Sequence, residues 1–115
     1  MTPVELKERF AVRVLKLADA LPPTASGRTV ADQIARSGSS VASNHRAALS
    51  GKSRADFIDK IAIVLQGADE TGLWLEITER AALLPPGRRA ALARAADELT
   101  RIFNATRVSA RNRRS

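Results

Sequence analysis

The chain has 115 residues and a formal net charge of +7, and 44% of its residues are apolar, which is typical of one globular domain with one modest core. It contains no cysteine and a single histidine, so disulfide frameworks, thiolate sites and multi-histidine metal sites are excluded within one chain. No apolar run approaches the roughly 18 residues of a membrane span and the start is not typical of a signal peptide, so a cytoplasmic protein is expected.

The positive charge is unevenly distributed along the chain. Residues 28–54 carry a net charge of +4 and residues 84–115 carry +6, whereas residues 55–83 carry −4. Basic segments of this kind suit polyanions such as nucleic acid. The acidic segment is another possible partner for the basic segments, within the chain or in a neighbouring subunit. The alternative interpretation is that all these charges lie on solvated helix faces.

The first predicted helix covers residues 4–21. Thr2 and Pro3, followed by Glu5, are typical of a capped helix start. Two prolines, Pro22 and Pro23, end the helix. Its apolar stripe recurs at spacings of three and four residues, as expected for a helix, and consists of Phe10, Val14, Leu17 and Leu21.

The second predicted helix covers residues 29–50, after a loop with the sequence TASGRT. Gly51 ends it. Steps of three and four residues define a heptad-like seam of Ala31, Ile34, Gly38, Val41, His45 and Ala48.

The third predicted helix covers residues 54–83 and is the longest, with Ser53 as its N-cap. The run IAIVL at residues 61–65 is apolar on every side of this helix. Because a helix in a four-helix bundle faces its neighbours on one side only, the excess predicts a subunit interface. Deep packing of these side chains within one chain is the alternative.

The fourth predicted helix covers residues 88–107 and follows a Pro-Pro-Gly break. Residues 109–115 hold three arginines and little apolar content, which predicts a frayed basic tail. Four amphipathic helices with short connections predict an all-α, antiparallel up-down four-helix bundle over residues 1–108.

The segment ARSGSSVASNHRAA at residues 35–48 is the most polar part of the second helix. Serine catalysis is disfavoured, because Ser40 and Ser43 lie too near His45 on one helix to face its ring, and Ser37 lies more than two turns away. A phosphate-binding loop is disfavoured because no strand precedes the segment and no Gly-Lys-Ser/Thr follows it. Acid pairs such as Asp56 and Asp59 lack a histidine partner, so we expect neither a metal site nor any other cofactor.

A polar cluster is predicted between the second and third helices. Glu70 falls on an otherwise apolar stripe, and a buried carboxylate needs a partner. Arg36, Ser40 and Asn44 are spaced by four residues on the second helix. We therefore predict that Glu70 bonds Arg36, Asn44 or the nearby Arg46 in a structural polar lock.

Two segments resemble a known family, the 23S rRNA intervening-sequence proteins, or S23 family. They are QIARSGSSVASNHRAA at residues 33–48 and KSRADFIDKIAIVLQGADETGLWLEI at residues 52–77. Many members have alanine-glutamate-glycine shortly after the asparagine, whereas Asn44 here is followed by His45, Arg46 and Ala47. Any role that this glutamate has in the family therefore has no matching residue in this chain.

The resemblance implies a four-helix protomer that assembles as a homopentamer and has no assigned enzymatic activity. It extends to accessory proteins of diversity-generating retroelements, which bind nucleic acid and a reverse transcriptase. We therefore expect a non-enzymatic protein that binds nucleic acid, structured RNA above all, and the alternative is a protein scaffold, for example for a reverse transcriptase. The predicted phosphate contacts are Arg28, Arg46, Arg88, Arg89, Arg94, Arg101, Arg107, Arg111, Arg113 and Arg114.

Overall fold

Four α-helices and no strand make up the part of the chain that the structure, a computed structural model, describes, which is residues 2–113 without the side chain of Pro3. Helix α1 covers Pro3–Ala20, α2 covers Ala25–Leu49, α3 covers Arg54–Arg80 and α4 covers Gly87–Asn112. The helices form an elongated body of 51 × 21 × 21 Å. The all-helical four-helix prediction is confirmed.

The predicted helix starts at Thr2 and Ser53 are formed by side-chain caps. The Thr2 hydroxyl accepts from the Glu5 amide at 3.2 Å and the Glu5 carboxylate accepts from the Thr2 amide at 3.3 Å, which completes a capping box. The Ser53 hydroxyl accepts from the Asp56 amide at 3.1 Å. Both caps satisfy backbone donors that have no partner in the first turn of a helix.

Helix α2 begins four residues earlier than predicted, so the prediction of a loop at TASGRT was wrong. Thr24 is the N-cap, and its hydroxyl accepts from the Gly27 amide at 3.0 Å. Gly27 is buried against the Pro22 carbonyl, where a Cβ would lie only 1.9 Å from that oxygen. The glycine therefore lets the first turn of the helix fold back over the prolines that end α1.

Helix α3 ends at Arg80, three residues before the predicted end. The Leu83 amide donates to the Thr78 carbonyl and the Ala82 amide donates to the Glu79 carbonyl, both at 3.0 Å. This pair of bonds is the Schellman motif, which requires a left-handed residue, and Ala82 supplies it with φ of 51°. An alanine in place of the usual glycine made this end difficult to predict.

Helix α4 continues to Asn112, so the prediction of a frayed tail beginning at residue 109 was wrong for the described residues. The Arg54 guanidinium of α3 donates to the Arg113 carbonyl at 2.7 Å. Ala110 is half-buried and lies with Phe57 beside the last turns. The Arg54 cation at the Arg113 carbonyl and the packing of Ala110 beside Phe57 keep this segment helical, although it has few apolar residues.

The core lies at close contacts between neighbouring helices. Gly38 of α2 packs on Val14 of α1, and a Cβ at Gly38 would lie 2.6 Å from Val14 Cγ1. Gly67 of α3 lies against the Ser37 carbonyl of α2, 3.0 Å from where its Cβ would be. The buried hydroxyls of Ser37 and Thr71 share a 2.8 Å hydrogen bond across this contact. Glycines thus let α2 approach both neighbours closely.

The apolar run of α3 is covered on one side only. Ile61 and Val64 are completely buried, Leu65 is half-buried, and Ile63 is exposed to 39%. Leu73, farther along α3, is exposed to 51%. The subunit interface expected on this helix stays a prediction, and these two side chains are where it would lie.

Candidate nucleic-acid interface

Three of the four serines in the segment at residues 35–48, Ser37, Ser40 and Ser43, bond to their own helix or to α3. The Ser37 hydroxyl bonds Thr71, and the Ser43 hydroxyl donates to the Ser40 carbonyl at 3.4 Å. The Asn44 amide donates to the Ser40 hydroxyl at 2.9 Å and to the Ser40 carbonyl at 3.0 Å. Among the described residues, no serine forms a hydrogen bond with His45, so the geometry offers no activated nucleophile there.

His45 is a buried residue that packs on an aromatic ring. Its ring centroid lies 4.8 Å from that of Phe103 of α4, with 60° between the planes, and its Nδ1 has no hydrogen-bond partner in the described part of the chain. Burial lowers the pKa of His45 below its ordinary value of 6.5, and the Lys7 ammonium lowers it further. Lys7 is itself buried, and its Nζ donates to the Ala42 carbonyl at 3.5 Å.

We expect acid to destabilise the protein through His45. Its folded-state pKa lies below the unfolded value, so the unfolded chain binds more protons as the pH falls from about 7.5 to about 5. The free energy of unfolding should therefore decrease over this interval. Urea denaturation at a series of pH values measures the decrease.

The variant His45→Phe provides the control for this pH dependence. It keeps an aromatic ring beside Phe103 and removes the titrating group. Its free energy of unfolding should be nearly constant over the same interval. An equal pH dependence in both proteins would assign the effect to another group.

The polar lock predicted around Glu70 does not form within the described protomer. Glu70 is exposed, and its carboxylate accepts from the Gln66 amide at 3.3 Å. Arg36 is also exposed, and Ser40 and Asn44 bond each other instead. The prediction of a buried Glu70 was wrong because this carboxylate lies at the solvent edge of its stripe.

Most of the arginines predicted to contact phosphate reach solvent. Arg114 lies outside the described residues. Arg107 is half-buried and donates to the Asn104 side chain at 2.9 Å, while its Nε is buried without a partner among the described atoms. The exposed members of the set are Arg28, Arg46, Arg88, Arg94, Arg101, Arg111 and Arg113.

Arg89 is buried, which corrects the prediction for this residue. Its side chain is 11% exposed, and its guanidinium forms a salt bridge with Glu79 of α3. Since that carboxylate neutralises it, Arg89 joins two helices of the protomer and is not available to a phosphate. A sequence pattern could not separate it from Arg88, because adjacent helical residues point in directions about 100° apart.

The arginines on the outer face of α4 remain without an acidic partner. Arg94 and Arg101 are seven residues apart, so they share one face and lie about 10 Å apart along the helix. Within residues 2–113, neither takes part in a salt bridge, and the same holds for Arg88, Arg111 and Arg113. Their charge is therefore available to an external anion.

Acidic residues lie on the α3 side of α4. A groove of about 470 Å³ between α3 and α4 is lined by Asp69, Glu76 and Asp97, with Leu73 beside them. This side of α4 would repel a polyanion, so the α3–α4 groove bounds the candidate interface.

In the described residues, no group of three His, Cys, Asp or Glu side chains is arranged to hold a metal ion.

Three cations of α1 are absent from the predicted phosphate contacts, because that prediction relied on the more basic segments of the sequence. Arg9, Arg13 and Lys16 are exposed and lie at spacings of four and three residues. This spacing was a usable signal, because it places all three on one face of a helix. None of the described helices combines the length and apolar character needed to cross a membrane.

Comparisons with known proteins identify a family and a solved structure that is similar to this chain. A family model described as 23S rRNA-intervening sequence protein matches residues 4–105. A crystal structure of a protein of unknown function from the S23 ribosomal protein family of Bacteroides thetaiotaomicron VPI-5482 is 30% identical in sequence, with a TM-score of 0.86. The match covers 92% of this chain and 98% of that chain. No curated protein matches the sequence.

Proposed function

The chain belongs to the 23S rRNA-intervening sequence protein family, and from this premise we propose that it is a non-enzymatic protein that binds structured RNA. The observation that carries the proposal is the row of two exposed arginines on one face of α4, Arg94 and Arg101, neither of which forms a salt bridge within the described chain. Binding through phosphate contacts is the interaction that such side chains favour. The family name, which refers to 23S rRNA, favours RNA as the polyanion.

Recognition of bases should be weak, because aromatic side chains are scarce on the surface. Aromatic residues make up 3% of the sequence. Phe10 and Phe103 are each 1% exposed, and Phe57 and Trp74 are partly buried and pack on the core. Without exposed rings on which bases could stack, the protein is expected to read the shape and charge of RNA rather than its sequence.

Assembly into a pentameric ring of up-down bundles is part of the proposal. The exposed apolar residues Ile63 and Leu73 of α3 favour contact with another protomer. Five copies of the same arginine row would multiply phosphate contacts that are individually weak. This multiplication allows tight binding of RNA without a deep site.

The proposal is tested by filter binding of a structured RNA over a range of salt concentrations, together with the mass and ultraviolet absorbance of the purified protein. We expect a mass five times that of one chain and an association constant that falls steeply with salt. Neutralising Arg94 and Arg101 together should reduce the slope of log K against log salt by about 1 for each phosphate contact removed, which is about 2 for each protomer that contacts the RNA. A flat salt dependence, or a monomer that binds no RNA, would overturn the proposal.

A protein scaffold, for example an accessory subunit for a reverse transcriptase, is the second candidate. The observation that favours it is the pair of exposed apolar side chains on α1, Val12 at 51% and Leu15 at 44%. An apolar contact of this kind persists at moderate salt, whereas phosphate contacts are lost. Binding of a reverse transcriptase that survives salt and is lost in Leu15→Asp would therefore favour the scaffold.

A further inference from the structure

A basic groove runs between α1 and α4, on the opposite side of α4 from the acidic α3–α4 groove. It consists of two adjoining hollows of about 250 and 150 Å³ that share Arg13. The apolar residues that form its floor are Leu6, Phe10, Leu17, Leu92 and Ala95. The cations that line it are Arg9, Arg13, Lys16 and Arg88.

The charge of this groove is of one sign. The residues that line it within the described chain include four cations and no carboxylate. Because the floor is apolar, a phosphate in the groove would contact cations whose field is less screened than at a flat surface. Because the α1–α4 groove is basic and the α3–α4 groove is acidic, an RNA strand is expected to bind on the α1 side of α4.

The spacing of the cations fits an extended anion better than a single small one. Arg9, Arg13 and Lys16 are spread over seven residues of one helix face, which is about 10 Å along the axis. Arg88 extends the row from α4. It lies one residue from the start of that helix, where the helix dipole adds partial positive charge.

We propose that the α1–α4 groove binds the sugar–phosphate backbone of the RNA, with Arg13 as its central contact. This assignment rests on the proposed function and locates its main contact on α1, outside the arginines that the sequence pattern indicated. Arg9 also takes part in an interaction within the chain, so Arg13 and Lys16 are the residues on which the assignment is best tested.

The test compares charge reversal inside and outside the groove. Arg13→Glu changes a groove residue, and Arg36→Glu makes the same change at an exposed arginine of α2 that lines neither hollow. Filter binding to one structured RNA at low salt should show a loss of affinity of about tenfold or more for Arg13→Glu and less than about threefold for Arg36→Glu. Lys16→Glu should behave like Arg13→Glu.

The outcomes distinguish a failure of the groove assignment from a failure of the proposed function. If the unchanged protein binds no RNA, the proposed function fails. If it binds RNA and the two arginine variants lose affinity equally, only the groove assignment is overturned. A changed oligomeric mass in Arg13→Glu would make the groove a subunit contact, and equal competition by polyglutamate would make it a site for acidic protein; either result overturns the assignment to RNA.

Discussion

Phe103→Ala is expected to lower the free energy of unfolding by about 3 to 5 kcal/mol, as is usual when a fully buried aromatic side chain is truncated. Phe103 is 1% exposed, and its ring packs on that of His45. The truncation leaves a cavity beside the imidazole and weakens its burial. The pKa of His45 should therefore rise toward its ordinary value, which an NMR titration detects without ambiguity because the chain has a single histidine.

Phe57→Ala is the matched control for this change. The same atoms are removed from a partly buried ring beside the last turns of α4, so the loss of stability should be smaller and the pKa of His45 unchanged. Urea denaturation at a fixed protein concentration measures both losses, since assembly would contribute to apparent stability. If Phe103→Ala does not fold, Phe103→Leu provides a milder truncation at the same position. Equal losses at Phe57 and Phe103 would contradict the central position assigned to Phe103.

Opposite effects are expected when two helical glycines are replaced by alanine. Alanine favours a helix over glycine by about 1 kcal/mol. At Gly72 a Cβ meets nothing within 4 Å, so Gly72→Ala should gain up to that amount. At Gly38 the Cβ would lie 2.6 Å from Val14 Cγ1 and 2.9 Å from Val14 Cβ, so Gly38→Ala should lose about 1 to 3 kcal/mol through overpacking.

A second substitution tests the reason for the loss at Gly38. Val14→Ala shortens the side chain that the new methyl group meets. In the double variant, the cost of Gly38→Ala should be smaller than in the original background, which is a favourable coupling measured by a double-mutant cycle. Thermal or urea unfolding of the four proteins gives the coupling. Additive losses would mean that the clash with Val14 is not the cause.

The number of helices and most of their starts could be predicted, because both depend on local chemistry. The caps at Thr2 and Ser53 need only a hydroxyl three residues before a backbone donor. The seam of α2 follows a simple spacing rule, and Gly38 lies on it as predicted. The start of α2 has the same local signal, the Thr24 hydroxyl three residues before the Gly27 amide, but it also depends on the contact of Gly27 with Pro22, which joins two elements and cannot be read from a single helix pattern.

The candidate interface was harder to predict than the fold. A helix such as α3, with apolar residues on several sides, gives no sharp boundary between core and solvent, so Glu70 was expected to be buried and is exposed. Arg89 and Arg88 look alike in the sequence, and only the position of Glu79 separates them. The basic groove combines residues about 75 positions apart, so it could not be recognised without the arrangement of the helices.

The separation of charge on the two sides of α4 has a consequence for how the protein encounters an anionic surface. Cations line the α1–α4 groove and carboxylates line the α3–α4 groove, so the protomer carries a dipole across its short axis. In the field of a polyanion, this dipole produces a torque that turns the α1 side toward the surface before contact. A larger fraction of encounters then occurs in a productive orientation, which raises the association rate. This gain decreases as salt shortens the range of the field.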